Sequence, residues 1–175
     1  MFSSFSVNSI SVSVSVSSSF IIGIFLELNK QYDFIYFGLE GSMEEEICHK
    51  YNIKFHSMKL LPFYLKNIFK NFSTFYLIFK EIKKIKKMYS SFDVKSIISS
   101  GGFVSIPLIL GLKNNNKILL ESNTTLGLAN KFLSIFVNKI GVQFNTIKNK
   151  NSNFGVLLFF DYLIIKIADQ NTLLK

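Results

Sequence analysis

The sequence predicts an α/β domain built on a Rossmann-like, doubly wound, mostly parallel sheet. Three observations predict it. Residues 10–16 alternate strictly, with Ile10, Val12, Val14 and Val16 on one side and serines on the other, the period of two that marks a strand. Residues 64–88 carry Ile68, Phe72, Phe75, Phe79 and Ile82 at spacings of four and three, the period of a helix. Strand-like and helix-like segments then alternate as far as residue 144, and such alternation builds a parallel sheet through crossover helices.

Taken in order, the strand at 10–16 leads through Ser17, Ser18 and Ser19, helix-capping residue types, into a helix at 20–30. A second strand, 34–37, ends at Gly38. The helix at 43–51 opens with Glu44, Glu45 and Glu46, which favour the positive end of its dipole. A third strand at 53–55 precedes the long helix, in which Ile68, Phe72 and Phe79 read as the core stripe. A fourth strand, 94–98, runs directly into Gly101-Gly102. A strand at 118–121, a helix at 126–137 and a strand at 139–143 complete a sheet of five or six strands. Residues 1–144 therefore read as the domain. The Asn-rich stretch 145–153 reads as a linker, and the apolar tail to residue 175 has no assigned partner.

Composition narrows the function. Hydrophobic residues are 49% of the 175 and charged residues 18%, enough for a core and too apolar for a disordered chain. The net charge of +9 comes entirely from lysine, since arginine is absent. An excess of Phe, Ile, Asn and Lys is the mark of an A+T-rich coding sequence, so lysine counts alone carry little weight. A basic balance suits nucleic acid, an anionic membrane or a phosphorylated substrate. Nucleic acid is not an expected partner, because arginine is missing and no DNA- or RNA-binding motif can be read. The lone cysteine, Cys48, excludes an internal disulfide and suits a cytosolic setting. Neither a cofactor nor a metal is implied. No segment reaches the roughly 20 apolar residues of a membrane span. No basic residue precedes the short apolar run 20–26, so a signal peptide is not expected.

The strongest chemical signal is Ser99-Ser100-Gly101-Gly102-Phe103-Val104-Ser105-Ile106-Pro107 at the end of a buried strand. Two readings are open: a phosphate cradle made of glycine backbone and helix amides, or a tight strand-to-helix turn. Further on, Leu120-Glu121-Ser122-Asn123 is followed by Gly127-Leu128-Ala129-Asn130-Lys131.

In these motifs, and in Gly38 to Glu44 after the second strand, residues 10–144 resemble the MurG family. Its members are the UDP-N-acetylglucosamine:lipid I N-acetylglucosaminyltransferases (glycosyltransferase family 28) of peptidoglycan synthesis. That family shows Gly-Gly-Tyr-x-Ser-x-Pro after its fourth strand, then His-Glu-Gln-Asn and Gly-Leu-x-Asn-Arg/Lys. The resemblance implies the N-terminal half of a two-domain glycosyltransferase (GT-B) that works at the cytoplasmic face of the cell membrane as a peripheral protein. Its partners would be a lipid-linked pyrophosphate sugar acceptor (lipid I), and UDP-GlcNAc only with a separate C-terminal domain. Carried across, Gly101, Gly102, Phe103 and Ser105 would line the acceptor pyrophosphate, and Glu121 and Asn123 would stand on the donor-sugar side. For the last pair a second reading is local capping of the next helix.

The departures are as informative. The family's first loop is Gly-Gly-Thr-Gly-Gly-His, whereas residues 12–17 here contain neither Gly nor His. Ser15, Val16 and Ser17 form a degenerate first loop, whose Cβ atoms keep a phosphate from the backbone and whose hydroxyls have no pKa suited to a general base. Leu120 replaces the second family His. His49 and His56 read as surface or packing residues. No catalytic residue can be assigned, and the chain alone is not expected to catalyse transfer. The alternative is a non-catalytic membrane- or partner-binding protein, or a truncated relic that keeps only the fold.

A membrane face reads from residues 61–92, with nine aromatics and seven lysines against the single acid Glu81. Lys80, Lys83, Lys84 and Lys87 share one helix face, with Phe69 and Tyr76 pointing away from the core stripe. Such a face suits an anionic membrane surface. The other reading is a solvated lysine face on a core helix.

Overall fold

The seven strands of the sheet lie in the order β3-β2-β1-β4-β5-β6-β7, and every neighbouring pair is parallel. A computed structural model describes residues 9–13, 33–64, 71–113, 116–121, 123–142 and 154–156. The strands are β1 Ser9–Ser13, β2 Asp33–Leu39, β3 Lys54–Met58, β4 Val94–Ser99, β5 Lys117–Glu121, β6 Lys139–Val142 and β7 Phe154–Val156. The helices are α1 Met43–Lys50, α2 Asn71–Met88, α3 Ser105–Gly111 and α4 Leu128–Leu133. The doubly wound parallel sheet expected from the sequence is present. The helix expected at 20–30 lies outside the described residues.

The direction of winding reverses between β1 and β4, where Ser13 pairs with Ser99. Open parallel sheets bind ligands in the crevice outside the strand carboxyl ends at such a switch point. The Gly101-Gly102 turn leaves β4 at that place.

Side chains alternate across the sheet. Ile35 and Phe37 join Met58, Ile97 and the α2 residue Ile85 in one buried cluster, to which Val104, just before α3, and Leu108 of α3 are added. Tyr36, between them, turns to the opposite face and stacks on Phe55 at 5.6 Å between ring centroids. A second cluster joins Ile109 of α3, Leu119 of β5, Leu133 of α4 and the β6 residues Ile140 and Val142. The start of α1 is fixed by a capping arrangement: Ser42 Oγ accepts the Glu45 N–H at 3.3 Å, and Glu45 Oε2 accepts the Gly41 N–H at 2.6 Å. Pro107 falls in the first turn of α3, where its missing N–H costs nothing.

Three expectations are corrected. Among the described residues the sheet has seven strands, not five or six, because residues 154–156 at the start of the tail pair with β6. The core stripe of α2 is also different. Phe72, Phe75 and Phe79 are exposed, Phe72 to 83%, while the buried face is Asn71, Thr74, Ile78, Glu81 and Ile85. Both stripes have helical spacing. The buried one prevails because Asn71 and Thr74 find hydrogen-bond partners: Asn71 Oδ1 accepts the Tyr64 N–H at 2.8 Å and Asn71 Nδ2 donates to Tyr64 O at 2.9 Å. Thr74 Oγ1 donates to Pro62 O at 3.3 Å. Buried polar groups satisfied in this way no longer oppose burial. The last predicted helix is shorter than expected, ending at Leu133.

Candidate functional site

The turn after β4 needs glycine at both positions. Gly101 and Gly102 have φ of +87° and +77°, in the left-handed region that side chains disfavour. A Cβ on Gly101 would also run into the Asn130 side chain.

Polar side chains lock this turn from beneath. Ser99 Oγ, fully buried, accepts the Gly101 N–H at 3.1 Å, and Ser105 Oγ, also fully buried, donates to Gly101 O at 2.6 Å. Asn130 Oδ1 accepts the Gly102 N–H at 2.9 Å. Both glycine amides are thus engaged within the chain. The next two amides, of Phe103 and Val104, take no intrachain hydrogen-bond acceptor among the described residues.

Glu121 is the hub of the neighbouring loop and only 3% exposed. Its Oε1 accepts the Asn123 N–H at 3.0 Å and Asn123 Nδ2 at 2.8 Å. Its Oε2 accepts Asn130 Nδ2 at 2.7 Å and the Gly127 N–H at 3.3 Å. Four donors converge on one carboxyl group, which folds the 121–127 turn and orients Asn130 toward the glycines. In this geometry the carboxyl group faces inward and the Asn123 amide is turned back onto it, while the N-cap of α4, Gly127, supplies no side-chain cap. Sequence reasoning missed Asn130 as the link between the two loops. Its place in Gly127-Leu128-Ala129-Asn130-Lys131 was the available signal.

Ser15, Val16 and Ser17, the degenerate first loop, lie outside the described residues, as does Phe69. Tyr76 is 65% exposed, and Lys80, Lys83, Lys84 and Lys87 are exposed along α2. The exposed aromatic ridge of Phe72, Phe75 and Phe79 lies between this basic face and the buried face. Lys83 Nζ sits 4.5 Å from the Phe79 ring centroid, and Lys84 lies 3.5 Å from Glu81 Oε2. No helix among the described residues is long and apolar enough to cross a membrane.

The two histidines stand apart from the crevice loops. His49 is exposed on α1. His56 is buried, its Nδ1 bonded to the Tyr89 hydroxyl at 3.0 Å and its ring 5.0 Å from that of Phe37. Burial lowers its pKa, the nearby Lys84 adds to the lowering, and Glu81 opposes it. Tyr89 is pushed up to about 12 by burial.

A doubly wound parallel sheet with a locked glycine turn at its switch point defines a Rossmann-like α/β domain. Comparison with known proteins makes this specific. Residues 20–142 match the glycosyltransferase family 28 N-terminal domain, and the chain belongs to that family. It is 33% identical over 119 residues to the UDP-N-acetylglucosamine–N-acetylmuramyl-(pentapeptide) pyrophosphoryl-undecaprenol N-acetylglucosamine transferase of Bacillus subtilis, covering 67% of this chain and 33% of that one. It is 36% identical over 132 residues to the Clostridium novyi protein of the same name, covering 72% and 36%. The crystal structure of Acinetobacter baumannii MurG superposes with a TM-score of 0.65 at 18% identity, over 85% of this chain and 44% of that one, a likeness of fold. The chain spans about a third of the length of these two curated relatives.

Proposed function

We propose that this chain is the acceptor- and membrane-binding half of a glycosyltransferase that moves N-acetylglucosamine from UDP-GlcNAc to an undecaprenyl-pyrophosphate-linked sugar in peptidoglycan synthesis. The observation that carries the reading is the motif from Gly101 to Pro107 at the β1/β4 switch point, in a chain of family 28. The acceptor pyrophosphate lies at this turn. With both glycine amides engaged by Ser99 and Asn130, its hydrogen bonds come from the Phe103 and Val104 amides, and the glycines serve to bring the backbone close. Glu121 and Asn123 act on the donor-sugar side by shaping the loop there. UDP-GlcNAc binding requires a donor domain in addition to residues 1–175.

The membrane contact is made by α2. Exposed Phe72 and Tyr76 beside Lys80, Lys83, Lys84 and Lys87 give an apolar ridge next to a basic face, which suits peripheral attachment to an anionic leaflet on the cytoplasmic side. A second reading, a binding protein without catalysis, is favoured by the serines that stand in place of the family's first glycine loop.

The experiment is transfer of labelled N-acetylglucosamine to a lipid-I analogue in membranes, with this chain alone, a donor domain alone, and both together. Transfer only in the mixture supports the half-enzyme. Binding of the analogue without transfer in any arrangement favours the second reading, and no binding of the analogue rejects both the acceptor site and the function built on it.

A further inference from the structure

An apolar groove of about 700 Å³ runs between α2, α3 and α4. We propose that it holds the hydrocarbon chain of the pyrophosphate-linked acceptor, so that this one domain binds both the headgroup and the first part of its lipid. The proposal rests on the acceptor reading above and adds to it a binding site for the chain itself.

The volume falls within the roughly 300–1,000 Å³ of small-molecule sites. All of its lining side chains are apolar, among them Phe75, Phe79, Ile106, Leu128 and Phe132. Four of these five stay substantially exposed, Leu128 to 68% and Phe79 to 56%, so the groove is an open apolar surface, not a core defect. With no polar lining group it can recognise only hydrocarbon, and an extended peptide laid in it would leave its own N–H and C=O groups unmatched.

Its position selects the occupant. At one end the lining includes Phe103, the residue after Gly102, and Leu128 with Ala129, which precede the Asn130 that holds the Gly102 amide. That end is therefore built from the immediate neighbours of the switch-point turn. Along α2 the lining runs from Phe75 to Ile82, and Lys83 lies over the Phe79 ring as part of the basic face. The groove thus connects the turn assigned to the pyrophosphate with the face assigned to the leaflet. Those are the two places between which a lipid pyrophosphate must extend.

The test uses the full chain and isothermal titration with geranyl, farnesyl and geranylgeranyl pyrophosphate below their micelle concentrations, alongside inorganic pyrophosphate and farnesol. Burying additional methylene groups should raise affinity at least about tenfold from the geranyl to the geranylgeranyl compound. Ala129→Phe, which fills the groove, should remove most of that gain with thermal unfolding unchanged. Phe132→Ser, at a half-exposed lining position, should reduce it in part and guards against a folding defect in the first variant. Affinity independent of chain length, with headgroup binding preserved, overturns the groove and leaves the acceptor reading standing. Farnesol binding as tightly as farnesyl pyrophosphate overturns the assignment to a pyrophosphate lipid, and the acceptor reading with it. Binding of none of the probes also overturns the proposal and points to a protein occupant.

Discussion

Asn130 and Gly102, 28 residues apart in sequence, are joined by a hydrogen bond of 2.9 Å from the glycine N–H to the asparagine Oδ1. The same side chain donates from Nδ2 to Glu121 at 2.7 Å, so one asparagine ties the turn after β4 to the loop after β5.

Asn130→Ala should therefore cost about 2–3 kcal/mol, because it removes two hydrogen bonds and withdraws one of four donors from a buried carboxyl group. Asn130→Asp should cost more at neutral pH, since it sets a second carboxyl group against Glu121. Urea denaturation of the three proteins measures this. An Asn130→Ala variant within about 0.5 kcal/mol of the parent would mean that the side chain does not hold the turn.

The glycine turn makes a comparative prediction. Gly41 and Gly101 both have positive φ, +70° and +87°, but a Cβ at Gly41 meets nothing within 4 Å, whereas at Gly101 it meets Asn130. Gly41→Ala should cost about 1 kcal/mol from backbone strain alone. Gly101→Ala should exceed it by about 1–3 kcal/mol through overpacking. The double variant Gly101→Ala/Asn130→Gly should cost less than the sum of its parts, a coupling that a double-mutant cycle reads directly.

Attachment to membranes should depend on salt and on the basic face of α2. Replacing Lys80, Lys83, Lys84 and Lys87 by Gln should weaken binding to anionic vesicles by about 3 kcal/mol, roughly a hundredfold, counting Lys84 for less because Glu81 lies 3.5 Å away. Phe72→Ser, at a position 83% exposed, should weaken binding to the same vesicles about tenfold with little loss of stability. Vesicle co-sedimentation across a salt series gives both values, and unchanged binding of the quadruple variant would remove α2 from the interface.

His56 gives a pH dependence whose sign is fixed. Its pKa in the folded chain lies below the ordinary value of about 6.5, so between the two values the unfolded chain binds more protons. Stability is then full above about pH 6.5 and falls as pH drops toward the folded pKa. His56→Phe should flatten this part of the profile. Lys84→Gln should reduce its amplitude, since Lys84 contributes to the lowering. Thermal unfolding between about pH 5 and 7.5 tests this, and an identical slope in His56→Phe would assign the effect to another group.

The strand and helix order was legible because each element carries its own periodicity, as in the alternation of residues 10–16 and the apolar spacing of α2. The glycine turn was legible as a pair of residues with a distinctive backbone freedom at the end of a strand. The sequence by itself determined the alternating elements, the parallel sheet they imply, and the family motifs that follow β4 and β5. Tertiary structure alone decided which of two equally periodic faces of α2 is buried, because the choice depends on whether residues 62–64 reach Asn71 and Thr74. It decided also that the Gly101 and Gly102 amides are already engaged and that Glu121 turns inward. Those outcomes rest on hydrogen bonds such as Asn130 to Gly102, between residues whose separation along the chain carries no local signal. Periodicity reports which residues share a face, whereas burial and hydrogen-bond satisfaction depend on what the rest of the fold brings to that face.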